Sequence, residues 1–214
     1  MMGKIILLGS QKGGCGKSTL AVNVAGWLVH QGHNVILVDA DPQGSAVRWA
    51  QDRQEQETLK HIPHVQASGN INQTLKDLAV HYDYVVADTA GRDSRELRTG
   101  MVIADVLLSP SRPSQYDLDT LPHLTDVFLQ AQDINPKLKG YLVLNMCPTN
   151  PVIKEADDAK EYLSDFPEFG MATTLIYDRK AFRDCVAEGK SVFEWKDAKA
   201  KAEISALMEE VFRG

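Results

Sequence analysis

One glycine-rich stretch decides the fold of this chain: Gln11-Lys12-Gly13-Gly14-Cys15-Gly16-Lys17-Ser18-Thr19. It follows the apolar run 5–8 and precedes a segment with helical spacing, so it predicts a strand that leads into a loop and then a helix. A loop that binds a phosphate chain needs inward-pointing N–H groups and glycines that let the backbone approach closely. Gly13, Gly14 and Gly16 meet that need, and the stretch therefore predicts a phosphate-binding loop.

The side chains of this loop supply further groups that a phosphate site requires. Lys17 is placed to reach the β- and γ-phosphates of a nucleotide, and Ser18 to offer its hydroxyl to Mg²⁺. The helix that begins near Lys17 adds its positive end. The usual pattern has a glycine where this chain has Gln11, and this chain has an extra Lys12 at the loop entrance. A flexible glycine loop without a ligand is the alternative interpretation.

The pattern Lys-Gly-Gly-x-Gly-Lys-Ser resembles the deviant Walker A motif of the ParA/MinD family of ATPases, whose early lysine is called the signature lysine. The resemblance implies that ATP and Mg²⁺ are the ligands. It implies catalytic roles for Lys12, which reaches the phosphates of a second subunit, and for Lys17. The nucleotide would be bound by Gly13, Gly14, Cys15, Gly16, Lys17, Ser18 and Thr19.

Two carboxylates follow the apolar run 35–38, in the sequence Asp39-Ala40-Asp41-Pro42-Gln43. Ligands of an open parallel sheet bind beyond the carboxyl ends of its strands, so we expect both carboxylates near the phosphates. The segment also matches the Asp-x-Asp-Pro-Gln motif of the same family. By that resemblance Asp41 positions the attacking water and Asp39 helps to organise Mg²⁺. The alternative is a helix N-cap at Asp39 and a turn residue at Asp41.

Polar residues also end two later apolar runs. Asp88 follows the run that begins at Tyr84, and it looks like the Walker B aspartate that holds a Mg²⁺ water opposite Ser18. A strand-end aspartate with satisfied hydrogen bonds is the alternative. Asn145 follows the run that begins at Gly140, where relatives in the family place an amide that reads adenine. A buried asparagine that only satisfies backbone groups is nearly as good an interpretation.

Apolar runs alternate with helical patterns from one end of the chain to the other. The runs predict strands over 5–8, 35–38, 65–68, 84–88, 106–110, 140–145 and 173–177. The patterns predict helices over 18–31, 44–59, 71–81, 93–103, 121–128, 152–163, 179–188 and 198–212. This alternation predicts a doubly wound α/β fold with a mostly parallel sheet flanked by helices, as in P-loop NTPases, and we expect one domain over 1–214.

The composition is that of an ordinary globular protein, with 214 residues, 43% hydrophobic and 24% charged. The net charge of -6 gives no basic excess of the kind that marks a nucleic-acid binder, so any DNA contact must come from a local patch. No apolar run approaches the length of a membrane span, and the start leads directly into the first strand. We therefore expect a cytoplasmic protein, with Cys15, Cys147 and Cys185 as reduced thiols.

The resemblance extends to the Pro-x-x-Pro-x-x-x-Asp segment 110–117, which lies at the dimer face in the family, and to 187–194, which is similar to a stretch of small plasmid-type ParA proteins. It implies a small ParA-type ATPase that forms a homodimer with ATP and binds DNA of the nucleoid without sequence preference. A ParB-like or cargo-adaptor partner then stimulates hydrolysis, which segregates a plasmid, chromosome region or other cargo. Candidate DNA contacts are Lys180, Arg183, Lys196, Lys199 and Lys201.

Two other classes of function remain as alternatives. A membrane-cycling ATPase of the MinD kind needs a basic amphipathic tail, but residues 203–214 contain three glutamates and one arginine. No membrane partner is therefore expected. A metabolic P-loop enzyme of the dethiobiotin synthetase kind needs a pocket for a second substrate, and no constellation in the sequence supplies one.

The loop chemistry leads to a first prediction. Lys17→Ala should abolish ATP binding, because it removes the ammonium that compensates the charge of the β- and γ-phosphates. Equilibrium titration with a fluorescent ATP analogue measures the loss. If the variant keeps the affinity of the unmodified protein, the assignment of a phosphate-binding loop is wrong.

Overall fold

The computed structural model of the protein describes residues 2–150 and 152–213; Met1, Pro151 and Gly214, which fall inside the predicted domain, lie outside the described residues. The described strands are β1 (Lys4–Ser10), β2 (Val35–Ala40), β3 (His64–Gln66), β4 (Tyr84–Gly91), β5 (Val106–Ser111), β6 (Lys139–Leu144) and β7 (Gly170–Met171). The helices are α1 (Lys17–His30), α2 (Ser45–Gln54), α3 (Asn72–Ala79), α4 (Arg95–Met101), α5 (Gln115–Leu118), α6 (Leu121–Ile134), α7 (Glu155–Leu163), α8 (Lys180–Val186) and α9 (Ala198–Arg213), with a 3₁₀ turn at Val192–Glu194.

The strands form one sheet in the order β3-β2-β4-β1-β5-β6-β7, and all of the described pairings are parallel. The chain builds β2, β3 and β4 on one side of β1, and then β5, β6 and β7 on the other. This confirms the prediction of a doubly wound α/β fold with a parallel sheet. The loop after β1 lies where the winding changes sides, which is where ligands of such sheets bind.

Helices cover both faces of the sheet, as the alternation of buried side chains in β1 requires. Ile6 and Leu8 pack in a core with α1, α2, α8 and α9. Ile5 and Leu7 point to the opposite face and pack in a second core with α3, α4, α6 and α7. Because every second strand residue faces the same side, a strand covered on both faces must be apolar throughout. That is why the apolar runs up to residue 145 predicted strands correctly.

The prediction of a strand over 173–177 is wrong. The last strand is β7, and within the predicted range only Tyr177 forms an isolated bridge, with Cys147. The N–H groups of Thr173 and Thr174 bond to the Glu210 carboxylate on α9 instead of to a neighbouring strand. A side-chain acceptor therefore takes the place of a strand partner for these two N–H groups, while Ile176 N still donates to the Leu144 carbonyl of β6.

Some element boundaries also differ from those predicted. The helices predicted over 44–59 and 152–163 are shorter, at Ser45–Gln54 and Glu155–Leu163. The strand predicted over 84–88 is longer and continues to Gly91, because its last residues pair with β1 and β2. Asp88 consequently lies inside the sheet and not at its end.

Two further features concern the cysteines and the helices. All three cysteines are free and buried, as expected of reduced thiols. Within residues 2–150 and 152–213, no helix combines the length and the apolar character that crossing a bilayer requires.

A buried arginine connects α2 to the segment that follows α8. The Arg53 side chain is 1% exposed, and its Nη2 lies 2.8 Å from Glu194 Oε1. The same guanidinium donates to the carbonyls of Lys60, at 2.8 Å, and Gly189, at 3.2 Å. Burial raises the pKa of Glu194, but the bonds from Arg53 and Ser191 lower it more, so the net shift is downward.

Removal of this cation should destabilise the fold. We expect Arg53→Met to lower the free energy of unfolding by about 3–5 kcal/mol, because it leaves Glu194 and two carbonyls without their donor. Urea denaturation measures the change. Arg213→Met is the matched control, since Arg213 pairs with Glu209 on the exposed face of α9, and its loss should cost less than about 1 kcal/mol. Equal effects of the two substitutions would contradict the structural role of Arg53.

Candidate functional site

The loop between β1 and α1 presents backbone N–H groups that have no acceptor. Gly14 and Gly16 have φ angles of 80° and 86°, in the left-handed region that favours glycine. Among the described residues, the N–H groups of 13–16 make no hydrogen bond, whereas the helix begins with Leu20 N bonded to the Gly16 carbonyl. Successive free donors at the start of a 14-residue helix form an anion site.

Neighbouring strands hold this loop so closely that side chains are excluded at two positions. A Cβ at Gly91, the last residue of β4, would lie 2.6 Å from Gly13 Cα. A Cβ at Gly16 would lie 2.4 Å from Asn145 Nδ2. The same amide nitrogen donates to the Cys15 carbonyl at 2.7 Å, so Asn145 supports the shape of the loop. The structural alternative for Asn145 is therefore observed, and its carboxamide also lines the pocket described below.

The two lysines of the loop have different environments. Lys17 is buried, and its Nζ donates to Ser10 Oγ at 3.2 Å and to the Lys12 carbonyl at 3.1 Å. The Lys12 side chain is 40% exposed; its Nζ lies 3.7 Å from Asp117 Oδ2 and 5.2 Å from the centre of the Tyr116 ring. Lys17 therefore lies within its own loop, whereas Lys12 is turned outward to α5.

The segment between β5 and α5 also contacts the loop. The Arg112 guanidinium donates to the Gly14 carbonyl, so a positive charge lies beside the loop without blocking its N–H groups. Asp117, which holds Lys12, is buried and accepts a bond from Ser114 Oγ at 2.7 Å. The Pro-x-x-Pro-x-x-x-Asp segment singled out in the sequence thus contacts the loop at both ends.

Asp39 and Asp41 are both close to the loop, but their side chains do different things. Asp39 is buried in β2, and its carboxylate accepts from Asp41 N at 3.1 Å and from Val47 N, in the first turn of α2, at 2.9 Å. The N-cap residue of α2 is Gly44, so Asp39 is not the helix N-cap of the alternative interpretation, although its carboxylate accepts from the first turn of α2. Asp41 is half-buried and lines the pocket, while its Oδ1 accepts from Gln43 N at 2.9 Å.

Asp88 is fully buried and neither of its carboxylate oxygens has a hydrogen-bond partner. It lies beside Asp39 in the register of β4 with β2. Burial is the main cause that raises its pKa to about 7, and the charge of Asp39 adds to it, while Ser18 and Lys17 nearby act in the opposite direction. A buried carboxylate without a donor costs free energy, which a bound cation or its water shell would recover. The donor set of Asp88, Asp39 and Ser18 consists of hard oxygens and therefore fits Mg²⁺.

The loop forms one end of a pocket of about 420 Å³. Its near end is lined by the loop, by Asp41 and by Gly91. Its far end is lined by Met146 after β6 and by six later residues, which are Ile176, Tyr177, Asp178, Arg179, Phe182 and Arg183. The pocket therefore joins an anion-binding end to a wider, partly aromatic end, a shape that suits a nucleotide.

The structure brings most of the predicted residues to this pocket. Those that line it are Gly13, Gly14, Gly16, Lys17, Ser18, Thr19, Asp41 and Asn145. Cys15 is buried behind the loop, with Sγ 3.1 Å from Ser10 Oγ, and Lys12 lies outside the pocket against Asp117. The sequence analysis missed the far end, since residues 176–183 carry no motif and are brought to the site by backbone bonds of 176–178 to Leu144 and Cys147.

Comparisons with known proteins agree with this geometry. A family model described as the CobQ/CobB/MinD/ParA nucleotide binding domain matches residues 6–192. Maintenance of carboxysome distribution protein A of Halothiobacillus neapolitanus is 33% identical over 205 residues, which cover 94% of this chain and 92% of that protein. The solved structure of apo McdA of Cyanthece matches with a TM-score of 0.79 at 16% identity and covers 97% and 99% of the two chains. A plasmid partition protein of Borrelia burgdorferi bound to AMPPNP matches with a TM-score of 0.73 at 19% identity and covers 99% of each.

The unpartnered Asp88 generates a prediction about pH. The pKa of Asp88 is about 7 in the folded state and 3.8 in the unfolded state, so between these pH values only the folded state keeps this carboxyl protonated. The protein therefore loses stability as the pH rises from 3.8 to about 7. In metal-free buffer, Asp88→Asn should therefore raise the melting temperature at pH 8 and change it little at pH 4. Thermal unfolding at both pH values measures the difference.

Asp126→Asn, on the exposed side of α6, is the control and should leave the melting temperature unchanged at both pH values. A drop in melting temperature of Asp88→Asn at pH 8 would contradict the assignment of an uncompensated buried charge.

Proposed function

Because the chain belongs to the CobQ/CobB/MinD/ParA family of nucleotide-binding domains, we propose that it is a positioning or partition ATPase that hydrolyses ATP as a dimer. One observation carries the proposal: the free N–H donors of 13–16, the Lys17 ammonium and Asp41 meet at one end of the pocket, and the unpartnered Asp88 is buried beside Ser18 and Lys17. This set matches what the transfer of a phosphoryl group requires, which is fixed positive groups, a place for Mg²⁺ and an acceptor beside the site of attack.

ATP is the proposed nucleotide. The phosphates of ATP would accept hydrogen bonds from the N–H groups of the loop. Lys17, which now donates to Ser10 Oγ and to the Lys12 carbonyl, would donate to the charged phosphate oxygens instead. Asn145 lines the pocket and uses its amide N–H on the loop, so its side-chain oxygen would be the acceptor that it offers to a base. An acceptor there suits a base with an amino group, such as adenine. The AMPPNP bound to the Borrelia protein supports this choice.

Mg²⁺ is the proposed metal, with Ser18 as a direct ligand and Asp39 and Asp88 around its water shell. When bound, it neutralises charge on the β- and γ-phosphates. The unpartnered oxygens of Asp88 are the observation that favours this role. Asp39 is already engaged by two N–H groups, so it would join the water shell through its remaining lone pairs.

Asp41 is the residue that we assign to the attacking water. Its carboxylate is half-buried at the rim of the pocket and is oriented by the N–H of Gln43, so one oxygen is held and the other remains available. A water that donates a hydrogen bond to that oxygen would be held in position to attack the phosphate. Lys17 would stabilise the charge that develops on the phosphate oxygens.

Lys12 is the proposed link between two subunits. It is exposed at the same edge as the pocket and pairs at 3.7 Å with Asp117, a distance that gives a weak, replaceable ion pair. Beside it, Tyr116 is 78% exposed, which is unusual for so large an aromatic side chain. A second subunit that carries ATP would offer Lys12 a stronger partner, the phosphates, and would cover Tyr116. ATP would then act as the ligand that joins the dimer.

The proposed dimer binds nucleoid DNA without sequence preference. Lys180 and Arg183 are paired with Asp184 and Asp178. Lys196 and Lys199 are exposed and make no ion pair within the described part of the chain, so of the candidate lysines they are the better phosphate contacts. Stimulated hydrolysis by a ParB-like or cargo-adaptor protein would separate the subunits and release the DNA. The name of the Halothiobacillus relative supports a protein assembly as cargo, beside a plasmid or chromosome region.

The test is binding to random-sequence duplex DNA with ATP, with ADP and without nucleotide, across a salt series. We expect binding only with ATP, weakening steeply as salt rises because phosphate contacts release counterions. Lys12→Gln should bind ATP but lose the ATP-dependent dimer in sedimentation and, with it, the DNA. Lys76→Gln, which makes the same charge change on α3, should retain both.

DNA binding that does not depend on ATP, or no binding while hydrolysis continues, would contradict the proposed positioning on DNA. An unchanged ATP-dependent dimer of Lys12→Gln would contradict the role of the lysine.

A further inference from the structure

Two glutamates of α9 support the far end of the pocket from behind. Glu203 and Glu210 lie seven residues apart, which is about two helical turns, so both project from the same side of the helix. That side faces residues 173–179, where the predicted strand is absent. Both carboxylates accept hydrogen bonds from this segment, and its residues 176–179 form the wall at the far end of the pocket.

Glu203 makes the contacts that are nearest to the pocket. Its Oε2 accepts from the backbone N–H of Tyr177 at 3.2 Å, and its Oε1 accepts from Arg179 Nε at 2.7 Å. Its side chain is 11% exposed, so these bonds are shielded from water. The Arg179 guanidinium in turn lies 5.2 Å from the centre of the Tyr177 ring. One carboxylate thus fixes a backbone group and a side chain, both belonging to residues that line the pocket.

Glu210 holds the preceding part of the same segment. It accepts from Thr173 N at 2.7 Å, Thr173 Oγ1 at 2.8 Å and Thr174 N at 3.0 Å, and also from the Thr174 hydroxyl. The pKa of Glu210 is raised by burial and lowered by these bonds, with a net downward shift. Thr173 and Thr174 do not line the pocket, so Glu210 fixes the backbone that leads to the pocket wall, whereas Glu203 fixes the wall itself.

The segment needs these contacts because the sheet holds only one side of it. Ile176 N donates to the Leu144 carbonyl and Asp178 N to the Cys147 carbonyl, at 3.0 and 2.8 Å. The alternate N–H groups point away from β6, and that of Tyr177 would be unsatisfied without Glu203. Buried N–H groups must find an acceptor, so the carboxylate takes the place of the missing neighbouring strand.

We propose that Glu203 is a positioning residue for the base of the nucleotide: it holds Tyr177 and Arg179 in place and so shapes the end of the pocket that discriminates between bases. This inference rests on the proposed function, in that a nucleotide has its phosphates at the loop and its base at the far end. Glu203 lies behind the wall and does not line the pocket itself, so its effect reaches the ligand only through the two residues that it holds.

The substitution Glu203→Gln tests the proposal with little change of shape. Glutamine keeps one acceptor oxygen but places an amino group at the other position, where it faces a donor. Either Tyr177 N or Arg179 therefore loses its partner, and the wall is no longer fixed. The phosphate end, formed by residues 13–18, has no contact with Glu203 and should be unaffected.

The measurement is equilibrium binding of three probes: a non-hydrolysable ATP analogue, the corresponding GTP analogue and inorganic tripolyphosphate, which has no base. We expect Glu203→Gln to lower the affinity for the ATP analogue about tenfold, which corresponds to the loss of one charge-assisted hydrogen bond. Tripolyphosphate should bind within about twofold of its normal affinity, and the preference for ATP over GTP should fall. Glu209→Gln, which alters a surface pair of the same helix, is the matched control and should change none of the three.

A second variant covers the case in which Glu203→Gln does not fold, as judged by thermal unfolding. Arg179→Lys keeps the positive charge but lacks the Nε donor. It should lower the affinity for the ATP analogue about threefold and leave the affinity for tripolyphosphate unchanged. Equal losses for all three probes, or no loss for any, would overturn the role of Glu203. Failure of the unmodified protein to bind the ATP analogue would instead overturn the proposed function.

Discussion

The constraint on which the structure depends is that the backbone of residues 13–16 must keep its N–H groups free. Folded proteins satisfy nearly all of their backbone donors, so a run of open donors has to be held in place by contacts made elsewhere. Here the carbonyl of Cys15 is bonded by Asn145, that of Gly14 by Arg112 and that of Lys12 by Lys17. The carbonyl oxygens of the loop are thus bound, which turns the donors toward the pocket.

The same loop fixes the sheet around it. β4 ends in Gly91 because no side chain fits against Gly13, and Gly16 is required because Asn145 lies where its side chain would be. Behind the loop, Asn23 of α1 bonds to the Thr19 carbonyl and accepts from Val192 N at 2.8 Å. The contact network therefore runs from the loop through the first helix to the segment that follows α8, which Arg53 ties to α2.

Local patterns made the fold and half of the site predictable. Glycines, an adjacent lysine and a serine define the loop within nine residues, and Asp39 and Asp88 are found because a buried strand cannot tolerate a carboxylate without a reason. What the sequence could not predict depends on contacts between distant residues. The partner of Lys12 is Asp117, and the bonds of Glu203 and Glu210 turn an apolar stretch at 173–177 into a loop. Hydrophobic periodicity predicts which face of an element is buried. It does not predict which side chain will accept the hydrogen bonds that a neighbouring strand would otherwise accept.

The support of the pocket wall by α9 has a consequence for how the protein is made. During synthesis the phosphate-binding loop leaves the ribosome well before Glu203 and Glu210, which follow it in the chain. Segments fold in the order in which they emerge and find their contacts. The anion-binding end can therefore form before the opposite wall, which acquires its acceptors only when α9 has emerged.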